Sequence, residues 1–296
     1  MPNRILREVR AALTGLNPNE VRQRAEQPVR IGLVASCGES FALMEDFLAP
    51  PVQSQEKRIT ALQSVFRIGE DAGEGDVDFI LAEQGMPVGN GGNVFVFNGR
   101  YPRHTVQDVL DNFEDLHLPL SRLFAPFRAP VADAIIGRIA RENALFSLIT
   151  ALPASIAGLL SSLLSVGEFA SDTTVITGNQ IRMAFLLAAA SDLHPGYAEQ
   201  KTEIASLIAG AFGFRSLARL LASRIPLGAG LIPKAAIAFA GTWVAGKSLE
   251  RLYEFGYPLS AAERGDAVAD AYERGKYIVH KMLEAWRSYP LSPAHA

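Results

Sequence analysis

The stretch "IGLVASCGESFALMEDFL", Ile31 to Leu48, decides how the first part of the chain is read. Its opening apolar residues suit a buried strand, a turn of small residues follows, and "SFALMEDFL" carries its apolar side chains at helical spacing. Strand, tight turn and helix in that order outline a phosphate-binding loop. A working loop has a glycine, four spacers and then Gly-Lys-Ser/Thr: N–H groups cradle the phosphates, the lysine neutralises them and the hydroxyl holds magnesium. Here Ser36, Cys37, Gly38, Glu39 and Ser40 form the turn, with Glu39 in the lysine position and Leu33 in the place of the leading glycine. A carboxylate at that position repels a triphosphate. The turn is therefore read as a phosphate-loop-like remnant that is not expected to hold a nucleotide.

Two further strands are expected around it, "VDFILAE" (Val77 to Glu83) and "NVFVFN" (Asn93 to Asn98), beside "VRIGLVA" (Val29 to Ala35). Each is rich in Val, Ile and Phe and bounded by turn-forming residues. "TVQDVLDNFEDL", Thr105 to Leu116, reads as a helix, "EVRQRAEQ" as a short one capped by Asn17 or Asn19, and "PNRILREVRAAL" has helical spacing. "RITALQSVFRIG" fits helix or strand, while "EDAGEGD" and "GNGGN" read as loops. Strands with helices between them give a small α/β part with a partly parallel sheet. In GTPases an Asp-x-x-Gly motif follows such a strand, but "ILAEQG" puts Ala82 in the aspartate place, followed by Glu83, Gln84 and Gly85. No Asn-Lys-x-Asp motif occurs anywhere. Loss of nucleotide hydrolysis is the economical inference.

Beyond Pro119 the composition turns to Ala, Leu, Gly and Ser, and the spacing predicts helices throughout. "APVADAIIGRIARENALFSLITAL" runs from Ala129 toward Pro153, and "GNQIRMAFLLAAASD" follows from Gly178, with Asp172 or Thr177 as its cap. "TEIASLIAGAFGFRSLARLLASRI" starts at Thr202, and "IPKAAIAFAGTWVAGKSLERLYEFG" has Pro233 in its first turn. In the tail, Ser260 and Glu263 have the spacing of a capping box at the head of a polar-faced helix. The fold class expected is a small α/β part over residues 1–120, a larger all-α hydrophobic bundle over 121–258, and a C-terminal amphipathic helix with a tail over 259–296. The chain as a whole is helix-rich.

From Asn143 to Gly167 there is no charged residue, and roughly 20 apolar residues suffice to cross a bilayer. Pro153, Gly158 and several hydroxyls offer a break into two shorter buried helices instead. A second span, Ile225 to Gly246, would carry Lys234 near its middle, where a cation is costly. The small residues Ala238, Gly241 and Ala245 allow close helix approach in lipid and in protein alike. A buried or peripheral bundle, one or two inserted helices, and a reversible surface state remain open.

The 296 residues suffice for two domains of ordinary size, and a formal charge of −3 argues against a general affinity for nucleic acid. One cysteine excludes an internal disulfide framework, and with no secretory leader legible the expected compartment is the cytoplasm, with membrane association through the helical part left open. Cys37 is expected to be a small buried residue, since a phosphatase-type loop needs an arginine where Leu43 stands. His104, His117, His194, His280 and His295 are scattered without metal-ligand spacing. No metal and no cofactor are expected. Asp76 and Asp78 read as a solvated strand entry, whereas Glu83, with Gln84, sits at the strand's carboxyl end, where open α/β sheets keep ligands. Arg215 and Arg219 share a helix face and, with Lys234, are the candidate contacts to lipid or a partner. Asn179, Gln180 and Arg182 read as interior glue within an apolar bundle.

The phrases "RENALFSLITALP", "GEFASDTTVITGNQIRMAFLLAAASD", "AGAFGFRSLARLLASRIPLGAGLIPKAAIAFAGTWVAG" and "SLERLYEFG" resemble a bacterial family of hydrophobic helical domains catalogued as domain of unknown function 697. That family is often fused behind Era-like GTPase domains. The resemblance covers Phe124 to Gly256 and implies a helical, often membrane-associated module beside a degenerate GTPase-like remnant. The expected function is a non-catalytic, GTPase-derived regulatory or scaffold protein. Its partner is a membrane surface or another protein, self-association being open. The alternatives are a noncanonical phosphate- or nucleotide-binding enzyme using Ser36 to Ser40, and an integral membrane protein.

Overall fold

The computed structural model describes residues 16–68, 77–87, 93–150, 172–210 and 231–287. It divides into two compact units, one made of Asn19–Asp133 with Ala188–His194, the other of Met1–Pro18, Ala134–Leu187 and Pro195–Ala296.

The first unit is built on a sheet of four strands, β1 (Ile31–Val34), β2 (Val65–Arg67), β3 (Phe79–Glu83) and β4 (Val94–Phe97). Their order is β2-β1-β3-β4 and every pairing is parallel. The expected mixture of directions is thus replaced by a wholly parallel set among the described strands. Ile31, Leu33, Ile80 and Leu81 are buried, as the central strands of a parallel sheet require. A β-carbon on Gly32 of β1 would lie 2.4 Å from Ile68 Cδ1, so the Ile68 side chain packs in the space that this glycine leaves.

Helices connect and flank the strands: α1 (Pro18–Ala25), α2 (Gly38–Leu48), α3 (Gln55–Leu62), α4 (Pro102–Asn112) and α5 (His117–Leu123). Met44 and Leu48, four apart on α2, are buried, each contributing about 1.5–3 kcal/mol. The ambiguous "RITALQSVFRIG" divides between α3, whose N-cap Ser54 accepts from Lys57 N–H, and β2. The helix expected over Thr105 to Leu116 begins earlier than read, at Pro102, and stops at Asn112. Asp78 precedes β3, and its carboxylate accepts the Arg30 N–H at 2.8 Å, which pins the strand entry.

At the open edge of β4, Thr105 takes the place of a further strand. Its hydroxyl accepts the Asn98 N–H at 3.2 Å and donates to the Val96 carbonyl at 3.0 Å.

In the second unit the long helices are α6 (Ala125–Thr150), α7 (Asp172–Ala190), α8 (Lys201–Ala209), α9 (Leu231–Phe255) and α10 (Ala261–Arg287), the first turns of α6 and the end of α7 belonging to the other unit. A β-carbon on Gly246 would lie 2.7 Å from Ile136 and 3.0 Å from Met183. One layer along, Asn143 donates to Thr242 and accepts from Asn179. Beyond that layer Phe146, Ile176 and Ala238 cluster. Reading α6 forward therefore reads α7 and α9 backward, so α6 runs antiparallel to both. α9 and α10 form an antiparallel pair in which Gly275 packs on Ala236, and Val268 and Ala271 on Ala240 and Val244.

Thr177, expected as a cap, lies inside α7 because the helix begins at Asp172; Thr174 and Thr177 are buried. Asn179 acts as interior glue as expected, and Arg182 pairs with Glu142. The buried Gln180 Nε2 and Arg182 Nε have no hydrogen-bond partner among the described residues. The helix expected onward from Thr202 stops at Gly210, whose φ of 76° is the left-handed stop that glycine accommodates. The capping box forms as read: Ser260 N–H donates to Glu263 Oε2 and Glu263 N–H to Ser260 Oγ.

Among the described residues no helix is long and apolar enough to cross a membrane. The helix expected over "PNRILREVRAAL", Asp76, the loop "EDAGEGD", most of "GNGGN", the uncharged run beyond Thr150, and Arg215 with Arg219 lie outside the described residues.

Candidate functional site

The sheet's strand order turns back on itself at β1, whose neighbours are its successor on one side and β3 on the other. In open α/β sheets the crevice beyond the carboxyl ends at such a reversal is where ligands settle. That crevice here lies between the turn Ala35–Cys37 and the end of β3.

The register sets Val34 beside Ala82, so Glu83 emerges opposite the turn. Its Oε2 accepts the Ser36 N–H and the Ser36 hydroxyl, each at 2.7 Å, and its Oε1 accepts the Ser40 hydroxyl at 2.8 Å. Ser40 reaches Glu83 because it lies in the first turn of α2, whose start follows the turn directly. The donors that a phosphate would use in such a turn are filled by a carboxylate of the same chain. Hydrogen bonds from Ser36 and then Ser40 hold the Glu83 carboxyl below its ordinary value of 4.5. A carboxylate so well solvated by donors is a weak general base.

Cys37 occupies the N-cap position of α2 with extended backbone and no side-chain cap bond. It is exposed, which corrects the expectation of a small buried residue: the turn that carries it and the first residues of α2 face solvent. Its Sγ–H donates to Ser40 Oγ at 3.5 Å, and Ser40 holds the thiol below its ordinary value. Ser40 has one hydroxyl proton, however, and gives it to Glu83, so a thiolate at Cys37 competes with that carboxylate for the same donor. Gly38 and Glu39 are exposed at the start of α2. Gln84 is exposed and takes no part in the cluster, because the chain turns away at Gly85, with φ of 87°.

The sequence reading named Ser36 to Ser40 and Glu83 separately, and the structure brings them together. The missing signal was strand adjacency: nothing local to "ILAEQG" says that it lies beside "IGLVAS". Of the proposed lipid or partner contacts, Lys234 is half-buried at the head of α9, with Nζ 3.5 Å from Thr150 Oγ1. Among the described residues, no three of His, Cys, Asp and Glu gather closely enough to hold a metal ion.

No protein-family model matches the chain, and neither a curated protein nor a solved structure does so.

Proposed function

We propose that the chain is a non-catalytic, GTPase-derived regulatory or scaffold protein, similar in its helical part to the family of unknown function named above. In this reading the α/β unit is a degenerate phosphate-loop remnant that holds a partner protein. The helical unit associates with a membrane surface or a partner, with Arg215, Arg219 and Lys234 as candidate contacts. The observation that carries the reading is the carboxylate of Glu83 seated on the Ser36 N–H and the Ser36 and Ser40 hydroxyls. A phosphate entering this turn would have to displace Glu83 and would then face Glu39 where a lysine should neutralise it.

Calorimetric titration of the full chain with magnesium GTP and ATP tests the first half of the proposal. The expected result is no saturable heat; saturable binding at micromolar concentration overturns it. Washing membranes from expressing bacteria at high pH tests the second half. Release of the chain supports a peripheral helical unit, and retention after the wash replaces that reading with an integral one.

A further inference from the structure

Beside Glu83 the carboxyl rim of the sheet carries a second group of side chains that the turn does not use. Phe97 on β4 is in register with Glu83, so Asn98 to Tyr101 leave the sheet next to the end of β3. The Asn98 side-chain oxygen accepts the N–H groups of Arg100 at 3.0 Å and Tyr101 at 3.1 Å, which fixes this loop in one shape. Tyr101 is 56% exposed, and its ring stacks on His104, centroids 6.0 Å apart and planes 23° apart. Leu43 of α2, 57% exposed, closes the patch, with Cδ2 lying 3.5 Å from where a β-carbon on Gly99 would sit. Arg100 and Arg103 flank the stacked pair, are exposed, and have no acidic partner among the described residues. The Glu83 carboxylate, at the end of β3, is turned to Ser36 and Ser40 and not to these arginines.

Two unpaired guanidinium groups, an exposed aromatic stack and an exposed leucine on a preformed loop ask for a ligand that is both anionic and apolar. The cationic surface spans one helical turn, because α4 continues with the exposed Asp108 and Asp111. That is too short for a phosphodiester backbone, which needs a stripe of cations. We propose that the Asn98–His104 rim with Leu43 is the surface on which the α/β unit docks an acidic, leucine-bearing segment of a partner protein. The inference deepens the partner-holding role proposed above and rests on it.

The test is fluorescence anisotropy of a short labelled peptide of glutamate and leucine added to the full chain at low salt, with a lysine and leucine peptide and a thymidine oligonucleotide as competitors. The expected result is saturable binding of the acidic peptide, weakened about tenfold or more by Arg100→Glu with Arg103→Glu, and weakened also by Tyr101→Ala. Arg100→Gln with Arg103→Gln serves where charge reversal impairs folding, and is expected to weaken binding in the same direction. No saturable binding, binding indifferent to these substitutions, or tighter binding of the oligonucleotide overturns the proposal. The nucleotide titration fails separately: GTP binding with acidic-peptide binding retained removes the non-catalytic reading and leaves this surface standing.

Discussion

Ser36 gives Glu83 two hydrogen bonds, one from its backbone N–H and one from its hydroxyl, both at 2.7 Å to the same carboxylate oxygen. Together with the bond from Ser40 they tie the end of β3 to the turn that follows β1. Because these donors hold the folded carboxyl below 4.5, the stabilisation they bring is complete above that value and is lost as pH falls through the lowered folded value. Glu83→Gln is therefore expected to be less stable than the native chain at neutral pH, with the gap closing in acid. Urea midpoints of both proteins at several pH values check this; a gap independent of pH contradicts the role given to the carboxylate.

The head of α10 makes a second pH-dependent case. The Ser260 N–H, with the Ser260 hydroxyl and the Arg251 guanidinium behind it, pulls Glu263 down to about 2. Ser260→Ala removes one arm of the box and is expected to cost about 1 kcal/mol. Glu263→Gln is expected to matter above pH 4.5 and to become neutral as pH approaches 2, measured by thermal unfolding across that window.

Asn143 is fully buried and bridges Thr242 and Asn179. Asn143→Ala leaves Thr242 and Asn179 each without a partner inside the bundle, and an expected loss of about 2–3 kcal/mol follows. A double-mutant cycle of Asn143→Ala with Asn179→Ala is expected to show a coupling on the order of 1 kcal/mol. Additive losses would mean that the two amides do not act as one layer.

Two glycines on α10 separate packing from propensity. Around Gly265 nothing lies within 4 Å of an added β-carbon, so Gly265→Ala is expected to stabilise by about 0.5–1 kcal/mol. At Gly275 the same carbon would meet the Ala236 carbonyl oxygen at 2.9 Å. Backbone of the neighbouring helix cannot step aside, and Gly275→Ala is expected to cost about 1–3 kcal/mol. Circular dichroism melts of the pair check the opposite signs.

What was legible in the sequence was local. Ile31 to Leu48 declares a strand, turn and helix through period and composition, and Ser260 with Glu263 declares a helix start through spacing alone. What was hidden is set by distant neighbours. Whether "RITALQSVFRIG" is helix or strand depends on β1 offering an edge to Val65–Arg67. The helix read from Gly178, with Asp172 or Thr177 as its cap, begins at Asp172 instead, because threonine hydroxyls suit caps as well as helix interiors and the bundle that buries Thr174 and Thr177 decides between them. The candidate site divides the same way: the turn was visible, and the carboxylate that fills it was visible only as an isolated strand-end residue.

The hydroxyl of Thr105 at the margin of β4 bears on how this chain avoids its own kind. An open parallel margin offers the Val96 carbonyl and the Asn98 N–H as a template on which another extended chain can crystallise. One short side chain answers both groups, and it does so from the first turns of α4, folded only a few residues downstream of the strand it guards. Protection against strand-to-strand polymerisation thus arises as the polypeptide leaves the sheet, without waiting for any distant segment to arrive.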